Sequence, residues 1–151
     1  MSGGASATTG PAAIVERMMA DVVDALTKKP NLRVVLVQDG APEMWNRMCA
    51  AMTKHVGPRD VRWSEAVDRH HVVERLSDVL LLVKKLPDFR TKLLAKWSKS
   101  LDEDDDAIDV IERYVIALRD GHRGKVRVAL DEHVTYLHNN KHRMRYATLR
   151  S

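Results

Sequence analysis

One stretch constrains this chain more than any other: Leu32-Arg33-Val34-Val35-Leu36-Val37-Gln38, an apolar, β-branched run bounded by Pro30-Asn31 and Asp39-Gly40. Its centre, Val34 to Val37, is unbroken. A short run without alternation predicts a strand buried on both faces. Such a strand needs neighbours, and only one weaker candidate follows, Val61 to Asp68 (VRWSEAVD). Two strands alone make a marginal sheet. The expectation is an α/β chain that is a portion of a larger sheet domain, or one that completes its sheet with another copy.

The rest reads as helix. Ile14, Met18, Met19, Val22, Val23 and Leu26 form one stripe between Pro11 and Lys29. Pro42 opens a second helix carrying Met44, Trp45, Met48, Met52 and His55, stopped by Gly57-Pro58. A third spans about His70 to Lys85, and Leu86-Pro87 ends it. Three further stripes follow: Phe89 to Leu101, Ile108 to Leu118, and Val126 to Leu137, with Gly121 and Gly124 bracketing a turn. The first thirteen residues, MSGGASATTGPAA, read as a flexible lead-in rather than a secretory signal.

With 151 residues, 44% of them apolar, the chain suits one domain. Seven Met offset an aromatic content of 5% as flexible core residues. Cys49 is the only cysteine, which excludes an internal disulfide framework and any two-thiolate zinc site and suits a reducing, cytoplasmic setting. The longest strongly apolar run, Val79 to Val83, is far too short to cross a membrane. The net charge is +4, and its location matters more than its size. Residues 138–151 hold Lys141, Arg143, Arg145 and Arg150 and no acid, which leaves 21 cations against 21 acids upstream. A neutral body with a basic end is compatible with contact to nucleic acid phosphates.

Three groups of residues are candidates for chemistry. Asp39 lies just past a buried strand and before a helix, where ligand sites of open α/β sheets collect. A carboxylate there suits Mg²⁺, and Asp39-Gly40 serves equally as a plain turn. Asp68, His71 and Glu74 fall within seven positions, close enough to orient one another, though Asp68 also fits a helix N-cap. The run Asp102 to Asp106 is no EF-hand, because Ala107 and Arg113 stand where Gly and Glu are required. It reads as a solvated turn that seats acids at the start of the next helix. His138 and His142 lack a third ligand, Cys49 shows no sign of thiolate activation, and no glycine-rich phosphate loop occurs.

The strings VVLVQDGAPEMWNRM, WSEAVDRHHVVERL and LDEHVTYLHNNKHRMRYATLR resemble bacterial insertion-sequence transposases of the Kra group, over roughly residues 20 to 151. That resemblance implies a DDE-type enzyme with an RNase H-like catalytic domain. Here it would be partial, covering 14–151, with two central strands and a mostly helical insertion at about 87–137. It places the second acid of the catalytic triad at Asp39, as a ligand to Mg²⁺ or Mn²⁺, and a conserved-type acid-and-histidine pair at Asp68 and His71. In such enzymes two divalent ions roughly 3.5–4 Å apart clamp the attacking and leaving oxygens of a DNA strand. Lys141, Arg143, Arg145 and Arg150 would contact DNA at transposon ends. The first and third acids of the pattern have no counterpart in this sequence. The expectation is therefore a truncated fragment, inactive alone. The alternative is a non-catalytic remnant that binds DNA, an intact transposase or itself and modulates transposition. A phosphoacceptor domain is a further alternative, but it needs a second acidic pair and regular βα alternation, and neither is visible.

Overall fold

A computed structural model describes residues 10–39, 42–59 and 63–150. The opening residues 1–9, Gly40 of the Asp39-Gly40 turn, and Val61 of the second strand prediction lie outside the described residues. The elements, in order, are α1 (Pro11–Lys28), β1 (Val34–Gln38), α2 (Pro42–His55), a 3-10 turn (Gly57–Arg59), β2 (Trp63–Val67), α3 (Arg69–Leu82), α4 (Pro87–Glu103), α5 (Ala107–Asp120), α6 (Gly124–Asn140), a second 3-10 turn (Lys141–Arg143) and α7 (Tyr146–Arg150). The chain is mostly helical. Its two strands run parallel in one small sheet, with α2 in the crossover between them. No helix among the described residues is long and apolar enough to cross a membrane.

The chain divides within β2, between Ser64 and Glu65, into two compact units. In the first, α1 starts at Pro11, three residues inside the stretch expected as lead-in. Proline at the first helical position needs no hydrogen-bond partner and has its φ preset. The buried stripe of α1 is Val15, Met19 and Leu26, so Ile14 and Met18, expected on it, face outward. A stripe that steps by four and seven residues drifts around the helix, so Val15 and Met19 stay inside while their neighbours Ile14 and Met18 do not. α2 turns Trp45, Met48, Ala51 and Met52 inward and packs on α1. His55 Nε2 lies 3.2 Å from Glu16 Oε2 across that contact.

The expectation that β1 is buried on both faces is not met. Leu36 is 5% exposed, but Val35 is 38% and Val37 54% exposed. Side chains alternate along a strand, so Val35 and Val37 share the face opposite Leu36, and that face is only partly covered.

In the second unit Asp68 caps α3, its Oδ1 accepting the His70 backbone N–H at 3.0 Å. The helix ends where Lys84 turns left-handed (φ 54°) and Lys85 N–H reaches back to the Leu80 carbonyl at 3.2 Å. The core joins Val72, Leu76 and Leu80 of α3 with Trp97 and Leu101 of α4, Ile108, Ile111 and Val115 of α5, and Leu130, Val134 and Leu137 of α6. Trp97 meets Tyr114 edge-on, with ring centroids 5.2 Å apart. Gly124 opens α6 at φ +65°, a backbone conformation that a β-carbon would strain.

Between α3 and α6, Arg75 stacks over the Tyr136 ring at 3.6 Å and brings its guanidinium to 3.2 Å from His133 Nδ1. An arginine has no acceptor, so Nδ1 must be the unprotonated nitrogen. Burial and then Arg75 hold the His133 pKa below its ordinary value, and the nearby Asp78 and Glu132 only partly oppose this. The unfolded chain therefore takes up the proton first as pH falls. Stability is full above about pH 6.5 and declines below it. Thermal melts from pH 7 to pH 5 should show a falling midpoint, with a shallower fall in His133→Gln.

Candidate functional site

Asp39 is the first residue past β1, exposed, three positions ahead of the Pro42 that starts α2. It directly follows the strand end, and the expected strand–acid–helix order is present. The preceding Gln38 has both polar atoms of its side-chain amide buried without a hydrogen bond. Asp39 belongs to the first unit, and Asp68 and His71 to the second.

The expected pairing of Asp68 with His71 is corrected. As N-cap, Asp68 directs its carboxylate to the backbone of its own helix. His71 instead shares a face with Glu74, three residues on, at 3.7 Å between Nδ1 and Oε2. His70 reaches the same carboxylate more closely, 2.8 Å from Nε2 to Oε1. Both histidines are exposed, so the trio is a solvated cluster on the first turns of α3.

Among the described residues no three His, Cys, Asp or Glu side chains come together as a metal-holding group. Asp39 by itself offers one carboxylate, and a two-ion centre requires several shared ligands. The donor set of the described residues does not fit the pair of divalent ions that the family resemblance implies, and no chemical step is derived through them.

The basic end is firmly placed. Arg145 donates to both Asp109 oxygens, at 2.9 and 3.5 Å, and to the Asp105 carbonyl. Lys141 Nζ lies 3.2 Å from Glu112 and 3.6 Å from Asp109. Arg143 lies 3.6 Å from Glu65 and bonds the Asn140 side chain at 3.0 Å. Arg150 lies 3.1 Å from Asp102. Thr148 donates its hydroxyl and its backbone N–H to the Asp105 carboxylate. Each of the four cations proposed for DNA thus has an acidic partner within the chain. The Arg145 hydrogen bond holds the Asp109 carboxyl below its usual range, and the Thr148 hydroxyl does the same for Asp105. Burial raises the Tyr146 phenol, whose hydroxyl donates to the Val67 carbonyl at 2.6 Å.

The reading of Asp102 to Asp106 as a solvated turn holds for Glu103, Asp104 and Asp106, which are exposed, but Asp102 and Asp105 are half-buried by contacts. Asp102 accepts two hydrogen bonds from Arg69, at 2.7 and 3.0 Å, besides facing Arg150, and Arg69 also donates to the Ser98 carbonyl at 2.9 Å. Asp102 of the run, with Asp109 and Glu65 outside it, supplies counter-charge to the basic end. Glu112, buried beneath Lys141 and His138, completes it and was missed, because it sits inside an apolar helix stripe. The one available signal was charge balance: an acid-free basic end needs acids from elsewhere in the chain.

No protein-family model, curated protein or solved structure matches this chain.

Proposed function

We propose that this chain is the central part of an RNase H-like DDE transposase catalytic domain. The parent activity would be Mg²⁺-dependent cleavage and transfer of DNA strands in the cytoplasm of a bacterial cell. Support comes from the QDGAPEMW and NNKHRMRYATLR strings. One structural observation carries the reading: an exposed acid, Asp39, at the carboxyl end of a parallel strand and ahead of a crossover helix. In this reading Asp39 contributes one ligand of three, the remaining two acids belong to other segments of the parent enzyme, and this chain cleaves nothing by itself. His71 with Glu74, beyond Asp68, forms a polar rim available to DNA.

Incubating the purified chain with Mg²⁺ or Mn²⁺ and end-labelled DNA should give no nicking. Nicking that disappears in Asp39→Ala would contradict the one-acid assignment. The coding DNA of the parent enzyme should encode an upstream strand bearing Asp and a downstream Gly-Ser-Gly stretch followed by a Glu-bearing helix. A parent frame with neither acid overturns the transposase reading.

A second reading is favoured by the exposed valines of β1. A non-catalytic remnant with a part-exposed strand face would pair with an intact transposase and modulate it. Pull-down with the full-length parent should then depend on Val35 and Val37. Equal capture by Val35→Thr/Val37→Thr rejects it.

A further inference from the structure

We propose that the outer face of α4 is a track for the phosphate backbone of nucleic acid, carried by Lys92, Lys96 and Lys99. The proposal rests on the nucleic-acid part of the function above and is independent of the acid triad. The three lysines are spaced i, i+4, i+7, which on an α-helix confines them to one narrow arc. All three are exposed, and the opposite side of α4 buries Trp97 and Leu101. Along the axis they step by about 6 and about 4.5 Å, within reach of successive phosphates of one strand.

None of the three has an ion-pair or hydrogen-bond partner among the described residues, whereas all four cations of the basic end do. Like charges four residues apart cost an isolated helix about 0.2–0.5 kcal/mol, so the chain gains nothing internally from Lys92 beside Lys96. Asp88 and Glu103 bound the stripe at its two ends, which limits the positive stretch to these lysines.

Two observations favour nucleic acid. The apolar side of α4 is committed to the core, so the helix has no free apolar face to sink into a bilayer. Phe89 is 45% exposed near the start of the stripe, with the Lys85 ammonium 5.5 Å from its ring centre. A surface aromatic beside lysines is the combination that stacks a base while cations hold the backbone. An acidic protein would find charge there but no use for that ring.

Fluorescence anisotropy tests this with a short labelled DNA duplex and its single strand, comparing the chain with Lys92→Gln/Lys96→Gln/Lys99→Gln. All three positions face solvent, and circular dichroism checks that the variant keeps its helices. The chain should bind both DNAs at low salt. The variant should lose about tenfold in affinity, and its log–log salt slope should flatten by about 2–3. Phe89→Ala should weaken the single strand more than the duplex. If the chain binds DNA and the triple variant binds equally, the track is wrong and the DNA reading survives. If the chain binds no DNA at low salt, both fail. If polyglutamate or anionic vesicles bind as tightly as DNA, the surface is a generic cation patch and the proposal falls.

Discussion

Lys141→Ala should destabilise the helical unit by about 2–3 kcal/mol, seen as a lower urea midpoint at neutral pH. Glu112 is buried on α5, and its carboxylate faces Lys141 and His138, each at 3.2 Å. Removing one partner of a buried pair costs roughly 3–5 kcal/mol, because the remaining charge keeps its desolvation penalty. Lys141 is 30% exposed, so water enters when it is truncated and the cost falls below that range. Glu112→Gln in the same background removes the stranded charge and should restore part of the loss. Arg150→Ala, which removes a side chain 62% exposed, should cost under about 1 kcal/mol. Equal losses at the two positions would mean that the basic end is not graded by burial as described.

The second large effect belongs to Tyr146. It is 6% exposed, and its hydroxyl donates to the Val67 carbonyl, bridging the start of α7 to the end of β2 within the second unit. Tyr146→Ala removes a large buried ring and should cost about 3–5 kcal/mol. Tyr146→Phe keeps the ring but leaves the carbonyl of fully buried Val67 without that donor, for about 1–2 kcal/mol. Near-neutral behaviour of Tyr146→Ala in urea unfolding would show that the closing segment is not part of the packed unit.

Most helices were legible because they carry their own punctuation, whereas α7 was not foreseen in the basic end. Pro11, Pro42 and Pro87 stand at helix starts, and Asp68 caps α3. The two strands were legible from β-branched content, β1 beginning two residues later than expected and β2 ending one residue earlier. Their burial was not. Whether Val35 and Val37 are covered depends on what packs over the sheet, and a run of valines is identical in both cases. For the candidate site, the position of Asp39 follows directly from local order, strand then acid then helix. The fate of the basic end does not. Arg145 meets Asp109 across 36 positions and Arg69 meets Asp102 across 33, separations at which only the packed helices decide the partner. Counting charge along the chain put the free cations in the last fourteen residues. The fold neutralises those and leaves the α4 lysines open, although their i, i+4, i+7 spacing was readable from the start.

Which cations meet phosphate is read most directly by following backbone amide resonances of the labelled protein while a short DNA duplex is added at low salt. Shifts should centre on Phe89, Lys92, Lys96 and Lys99, with Lys141 to Arg150 nearly still in their internal ion pairs. Shifts confined to residues 138–150, with α4 silent, would contradict the assignment of the open basic face to α4 and of the terminal cations to structure.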